Sequence, residues 1–179
     1  SFPTRRSSDL VRWREPAKTA QQSNILVTVE RQLYRLIPGE EEMSFTLLPV
    51  TSNEIDSDAL YLDEITLTSE QDAVLRYGQV EVPLPPGADV ERTTWGISVN
   101  KPNPAKQQGQ LLEKARNEMG ELGYMVPVKE LTGTVTFRHL LRFSQKGQFV
   151  LPPARYVRSY APAQQSVAPG SEWIGMQVK

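Results

Sequence analysis

The chain has 179 residues, and its 20 Lys and Arg side chains against 21 Asp and Glu give a formal net charge of -1, which argues against a nucleic-acid-binding domain. Hydrophobic residues make up 39% and charged residues 23% of the chain, a composition that excludes a disordered protein and is typical of a globular domain. No apolar run approaches the roughly 20 residues that a membrane-spanning helix needs, so we expect no direct membrane insertion.

The first 24 residues carry no signal of a folded domain. Residues 1–10 (SFPTRRSSDL) show no apolar periodicity and predict a disordered segment. They resemble the in-frame translation of a sequencing-library adapter, so we expect an assembly artefact here and a natural protein that extends further upstream. Residues 11–24 are polar and end in Gln, Ser and Asn, which predicts the end of a preceding domain followed by a linker.

From residue 25 onwards, short alternating segments rich in β-branched and aromatic residues predict strands. These segments cover residues 25–36, 43–50, 59–68, 74–84, 92–99, 132–143, 148–151 and 172–178. Pro and Gly punctuate them, as at Pro38-Gly39 and between Pro83 and Gly87. Strands of this length and spacing predict an all-β domain over residues 25–179, an antiparallel β-sandwich of immunoglobulin-like architecture.

One segment, residues 104–122, departs from the strand pattern. It is rich in Gln, Glu, Lys, Leu and Ala, and four apolar residues fall at helical spacing: Leu111, Leu112, Ala115 and Met119. Gly109 and Gly120 weaken a helix at its ends. The sequence therefore predicts one short helical excursion between strands.

The residues that carry chemistry are few. The chain has no Cys, which excludes a disulfide, a thiolate metal site, a Cys nucleophile or a thioester within it. It has one His, His139, and neither a phosphate-binding glycine loop nor a GxSxG motif. The acidic run at residues 53–58 lacks the glycine and terminal glutamate of a calcium loop, so we expect a plain polar loop. These patterns predict no enzyme, no cofactor and no metal.

The C-terminal part concentrates aromatic side chains between prolines. A strand runs from Phe149 into Pro152-Pro153, and Tyr156, Val157 and Tyr160 follow before Pro162. We expect the prolines to keep this segment out of regular structure, which makes its tyrosines candidates for contact with another surface. From the segment alone, packing of Tyr160 back onto its own domain is an equally good interpretation.

Three motifs in this order carry a resemblance: VTVERQLYRL at residues 27–36, VEVPLPPGADVE at 80–91 and FVLPPARYVRSYAP at 149–162. Together they resemble the C-terminal macroglobulin-like domain of the bacterial α2-macroglobulins, over roughly residues 25–179. The resemblance departs from the family pattern at Leu84-Pro-Pro-Gly87 and at Ala161, where an acidic residue or Asn is usual.

The resemblance implies a fragment of a large protease trap. Such proteins are periplasmic and are tethered to the inner membrane by an N-terminal lipid, which this chain would lack. A protease cuts a bait segment, and an internal thioester in another domain then captures it. The implied partners of this domain are the thioester domain of the same full-length chain and, through the whole protein, the target proteases; we expect a monomer.

The resemblance also implies a role for one loop. By the match of its SYAP sequence to the family's aromatic-x-Pro pattern, Tyr160 is expected to cover the thioester until bait cleavage. Ser159, Ala161 and Pro162 would frame it, and Tyr156 is the second choice for the same role.

Two other classes stay open. A carbohydrate- or protein-binding β-sandwich would need an exposed aromatic platform, for which Tyr61, Tyr77, Trp95 and Tyr124 are the candidates. Their positions within or beside strands favour packing instead. A hydrolase would have to combine His139 with Ser and Asp residues.

Overall fold

In a computed structural model, residues 27–70, 73–101, 110–111, 118–120, 123–168 and 173–179 are described. Within them the chain forms fifteen strands and no helix. The predictions for residues 1–10 and 11–24 lie outside this part of the chain. In the described ranges, no helix is long and apolar enough to cross a membrane.

The strands have the following bounds in chain order. They are β1 Val27–Pro38, β2 Ser44–Pro49, β3 Glu54–Ile55, β4 Tyr61–Ser69, β5 Leu75–Pro83, β6 Ala88–Val90, β7 Ser98–Asn100, β8 Gln110–Leu111, β9 Glu118–Gly120, β10 Gly123–Leu131, β11 Thr134–Phe143, β12 Gly147–Leu151, β13 Arg155–Arg158, β14 Ala161–Val167 and β15 Trp173–Val178.

Three sheets organise these strands. A seven-stranded sheet has the order β6-β11-β4-β1-β2-β7-β8, and a five-stranded sheet has the order β14-β13-β5-β10-β9. A small third sheet has the order β12-β15-β3. Pairing is antiparallel except between β2 and β7 and between β3 and β15, which are parallel. The predicted β-sandwich is confirmed, with mixed pairing at these two places.

The core lies between the two large sheets. Inward-facing residues of β1, β4 and β11 meet those of β5, β10 and β13 in one buried cluster. Its largest members include Tyr61 and Phe143, whose rings contact edge to face with centroids 5.4 Å apart. Each fully buried Leu, Ile or Phe stabilises the fold by roughly 1.5–3 kcal/mol, so this cluster dominates the stability of the domain.

A second buried cluster lies on the opposite face of the seven-stranded sheet. Leu62 and Leu140 contribute to it from β4 and β11, and Ile97 and Val99 cover them. Both faces of β4 are therefore buried. Residues 92–97 do not form the predicted strand. They are irregular chain that carries Ile97 to this second cluster, and β7 begins only at Ser98.

Two further sequence predictions are wrong in the described residues. Within 104–122, the described residues form β8 and β9, which pair with β7 and β10, so strand pairing overrides the helical spacing there. The rest of that segment lies outside the described residues. The expectation that residues 155–162 avoid regular structure also fails, because β13 and β14 form a paired hairpin.

Strand β10, which contains Pro127, is not among the strands predicted from the sequence. Proline donates no backbone hydrogen bond and argues against a central strand. Among the residues that the structure describes, β9 pairs with residues 123–125 of β10, and Pro127 pairs with β5 at Gln79.

Candidate functional site

The predicted contact loop is the tip of the β13–β14 hairpin. Arg158 pairs with Ala161, so Ser159 and Tyr160 form a two-residue turn. The register then shifts: Val157 pairs with Gln165, and residues 162–164 are extra residues on β14. A bulge of this kind tolerates Pro162, because the ladder is already interrupted there. The prolines therefore shape the hairpin rather than prevent it.

The two tyrosines proposed for this site point in opposite directions. Tyr160 at the tip is 85% exposed, whereas Tyr156 in the strand is fully buried in the core between the sheets. Burial raises the pKa of the Tyr156 hydroxyl, and the charge of Arg158 lowers it in part. The structure thus brings Tyr160 to the surface and takes Tyr156, the second choice, away from it.

Gly78 of β5 makes room for Tyr156. A Cβ atom at Gly78 would overlap the Tyr156 ring, with the ring hydroxyl as the nearest atom. Gly78 is also the register partner of Arg158, the last residue before the turn. The ring is therefore seated directly on the β5 backbone, and this contact fixes the base of the hairpin.

Tyr77, next to Gly78, contacts the exposed tip. Its ring lies edge to face with the ring of Tyr160, with centroids 5.6 Å apart and planes at 81°. Its carbonyl accepts a hydrogen bond from the Ser159 amide at 2.8 Å. The φ of Tyr77 is 57°, a left-handed conformation that costs a bulky residue about 1–3 kcal/mol. Tyr77 and Tyr160 together form an exposed aromatic pair, which we call the tyrosine pair.

Charged side chains flank the hairpin. Arg158 donates to Gln164 at 2.7 Å, Arg155 pairs with Glu81 at 2.6 Å, and Arg76 pairs with Glu130 at 3.1 Å. These groups are exposed or partly exposed, and such pairs contribute only about 0–1 kcal/mol each.

A buried ionic network ties the approach to the hairpin into the core. Arg31 forms two hydrogen bonds to Asp63, at 2.9 and 2.8 Å, and both side chains are almost fully buried. A third bond runs from Arg31 to the carbonyl of Pro152 at 2.6 Å, and Tyr124 donates to Asp63 at 3.0 Å. The network therefore joins the seven-stranded sheet, the five-stranded sheet and the Pro152-Pro153 segment that leads into β13.

The charges of this network shift two pKa values. Burial by itself lowers the pKa of Arg31, but the charge and hydrogen bonds of Asp63 outweigh it and raise that pKa. Burial and the neighbouring Asp63 carboxylate raise the pKa of Tyr124 well above 10. Arg31 is thus held as a cation and Tyr124 as a neutral hydroxyl.

His139 lies beside this network. Its ring stacks at a tilt on Tyr124, with centroids 4.2 Å apart, and it is 5% exposed. Burial lowers its pKa to about 4, with the charge of Asp63 opposing this shift. Neither ring nitrogen has a hydrogen-bond partner among the residues that the structure describes. A general base needs a hydrogen bond to its nucleophile, so this geometry gives the hydrolase alternative no support.

The other candidate aromatic residues divide into two groups. Tyr61 and Tyr124 are buried, which confirms the packing interpretation for them. Tyr77 is 53% exposed and Trp95 is 89% exposed, so that interpretation is wrong for these two. The sequence did hold one signal for Tyr77, because an isolated glycine inside a strand pattern, here Gly78, indicates a bulge or a close backbone approach.

Comparisons with known proteins find similar chains in bacteria. The chain is 41% identical over 181 residues to an alpha-2-macroglobulin of Ralstonia nicotianae, a match that covers 87% of this chain. Its fold is similar to that of native alpha-2-macroglobulin of Escherichia coli, solved from domain MG7 to the C-terminus, with a TM-score of 0.62, 16% identity and coverage of 88% of this chain and 24% of the other. It is also similar to Salmonella alpha-2-macroglobulin reacted with methylamine, with a TM-score of 0.60, 17% identity and coverage of 89% and 10%.

The chain covers only a small part of the length of these relatives. It spans 11% of the length of the curated Ralstonia protein. No protein-family model matches the chain.

Proposed function

Since this chain is, over most of its length, a relative of bacterial alpha-2-macroglobulin, we propose that it is the C-terminal macroglobulin-like domain of a protease inhibitor and that its tyrosine hairpin shields a thioester. The thioester lies in another domain of the same parent chain, because this chain contains no Cys. Cleavage of a bait segment by a protease releases the hairpin and exposes the thioester.

The chemistry of a relative supports a shielding role. Methylamine is a small primary amine, and a protein that reacts with it, as the Salmonella alpha-2-macroglobulin does, offers an activated acyl group. Water attacks the same group. A shield that excludes water and amines is therefore needed until the protease arrives, and an apolar ring seated over the acyl carbon provides one.

The exposure of Tyr160 is the observation that carries the proposal. A ring that is 85% exposed at the tip of a hairpin leaves most of its apolar surface without a partner in its own domain. Burying on the order of 150 Å² of aromatic surface against another domain stabilises the docked state by roughly 4 kcal/mol, before the cost of ordering the two surfaces. The hydroxyl can be hydrogen-bonded at the edge of the contact. Ser159, Ala161 and Pro162 hold the ring at the turn.

The setting of the parent protein belongs to the same proposal. We place it in the periplasm, anchored to the inner membrane by an N-terminal lipid that is outside this chain. It acts as a monomer and as a broad-spectrum inhibitor of its target proteases. This domain binds no nucleic acid and does not itself insert into the membrane.

We expect Tyr160→Ala in the full-length parent protein to raise the rate of reaction with methylamine at least tenfold, because the ring no longer excludes the amine. The rate is measured as release of free thiol with a thiol reagent. Tyr160→Phe keeps the apolar ring and should stay within about threefold of the wild type. Trp95→Ala is the matched control, an equally exposed aromatic residue outside the hairpin. An unchanged rate in Tyr160→Ala would reject the shield.

One observation favours a second candidate function. Trp95 is 89% exposed in the irregular segment before β7, and exposed aromatic rings bind sugar faces or protein surfaces. A carbohydrate- or protein-binding sandwich would use this residue. A glycan array screened with the chain and with Trp95→Ala tests it: binding that disappears with Trp95 supports this function, and absence of any bound glycan counts against a carbohydrate ligand.

A further inference from the structure

Tyr77 has a left-handed backbone conformation and contacts the hairpin tip, although its side chain is not part of the buried core. It lies on β5, far from the hairpin in sequence, and it is half exposed. Yet both its backbone and its ring contact the hairpin tip. We propose that Tyr77 is a positioning residue that fixes the direction of the Tyr160 ring; this inference rests on the proposed function of Tyr160.

The backbone of Tyr77 supplies the first part of the argument. Tyr77 has a φ of 57°, which lies in the left-handed region of backbone conformations. Residues other than glycine, and bulky residues above all, disfavour this region. Such a conformation persists only where the surroundings impose it. Here Gly78 is held under the buried ring of Tyr156, and the Tyr77 carbonyl is held by the Ser159 amide. The left-handed conformation of Tyr77 in β5 is therefore coupled directly to the turn that carries Tyr160.

This backbone conformation also decides the side of the strand on which the Tyr77 ring lies. Arg76 and Tyr77 are both exposed between buried Leu75 and Gly78, so the alternation of β5 is interrupted at this pair. A regular strand would turn one of the two residues towards the core. The interruption instead leaves the Tyr77 ring on the exposed surface, in edge-to-face contact with the Tyr160 ring.

The ring contact supplies the second part. Tyr160 is at a two-residue turn and is 85% exposed, so within its own domain few atoms restrict its side-chain rotamers. The edge-to-face contact with Tyr77, with centroids 5.6 Å apart, favours one of them. A shield must cover a small acyl group, and a ring that samples other directions leaves the group open for part of the time. Losing this contact should therefore raise the reactivity of the thioester by about three- to tenfold.

The experiment uses three variants of Tyr77 in the full-length parent protein, with free-thiol release by methylamine as the readout. Tyr77→Phe keeps the ring and should react at the wild-type rate. Tyr77→Asn keeps a residue that tolerates the left-handed backbone but removes the ring, and should react about three- to tenfold faster. Tyr77→Val removes the ring and also disfavours the backbone, so its rate should equal or exceed that of Tyr77→Asn. The melting temperatures of Tyr77→Phe and Tyr77→Asn should stay close to the wild type, because the side chain is half exposed, whereas that of Tyr77→Val should be lower because a β-branched residue disfavours the left-handed backbone.

A double variant distinguishes a Tyr77 that positions the Tyr160 ring from a Tyr77 that itself shields the thioester. If Tyr77 acts through Tyr160, Tyr77→Asn should add no further increase in a Tyr160→Leu background. Independent, multiplicative effects of the two substitutions would overturn the inference, as would a wild-type rate in Tyr77→Asn while Tyr160→Leu reacts faster. If Tyr160→Leu itself leaves the rate unchanged, the proposed shield fails first, so the two failures are distinguishable.

Discussion

At the scale of single residues, burial decides which side chains of this domain are chemically available. Tyr156 and Tyr160 are four positions apart and chemically identical, but one is seated on Gly78 in the core and the other is at the tip of a turn. His139 shows the same principle for a titratable group. Its imidazole is enclosed beside Asp63 and Tyr124, and burial keeps it neutral at physiological pH.

His139 should make the stability of the chain depend on pH. Its pKa falls from 6.5 in the unfolded chain to about 4 in the folded one, so the unfolded state binds the proton more readily between these values. The stabilisation is complete above about pH 6.5 and decreases as the pH falls towards 4. We expect a loss of about 2 kcal/mol from this group between pH 7 and pH 5.

Urea unfolding of the wild type and of His139→Leu at both pH values measures this loss. The comparison removes the contribution of other titrating groups that the two chains share. The free energy of unfolding of the variant should fall less on acidification than that of the wild type. Equal decreases in both proteins would show that the pKa of His139 does not differ between the folded and unfolded states.

At the scale of elements, the hairpin depends on the strand beneath it. β13 pairs with β5 through four residues, and the buried ring of Tyr156 crosses the backbone of β5 at the residue without a side chain. The turn is then held at a second point, by the bond between Ser159 and Tyr77. The exposed tip is thus supported by an ordered base, which the proposed docking of this tip on another domain would require.

Gly78→Ala tests this support. Its Cβ would overlap the Tyr156 ring, which cannot move without disturbing the pairing of β13, so we expect the free energy of unfolding to fall by about 1–3 kcal/mol. Gly133→Asn is the matched control. That position has a φ of 67°, which Asn tolerates, and no atom lies within 4 Å of a Cβ placed there. A loss in Gly78→Ala no greater than in the control would contradict the steric argument.

At the scale of the whole molecule, one buried ion pair joins the parts that must keep their relative positions. Arg31 and Asp63 come from β1 and β4 of the seven-stranded sheet, and Tyr124 comes from β10 of the five-stranded sheet. The bond to the Pro152 carbonyl adds the segment that enters β13. The apolar core supplies most of the stability, while this network fixes how the hairpin leaves the sandwich.

Removing one partner of this pair should be far costlier than removing one partner of an exposed pair. Asp63→Asn leaves the buried Arg31 cation without its counter-charge, and we expect a loss of about 3–5 kcal/mol of unfolding free energy. Glu130→Gln, which breaks the exposed pair with Arg76, should cost less than about 1 kcal/mol. Chemical unfolding of the two variants gives both values. Similar losses would mean that the buried pair is screened much as a surface pair is.

The sequence by itself determined the class of fold and the segment that carries the candidate site. Alternation of side chains along a strand is a local property, so β1, β4, β5 and β11 could be predicted from residue types alone. The order of the three motifs likewise predicted the family resemblance, and the SYAP motif selected Tyr160.

Tertiary structure alone decided what depends on neighbours distant in the chain. Whether a tyrosine is buried or exposed follows from the strand that pairs beside it, which is why Tyr156 and Tyr77 could not be placed from their own segments. Non-local pairing also turned described residues of 104–122 into strands and allowed Pro127 within β10. Periodicity reports a local geometry, whereas exposure is set by packing between elements that the chain brings together only when it folds.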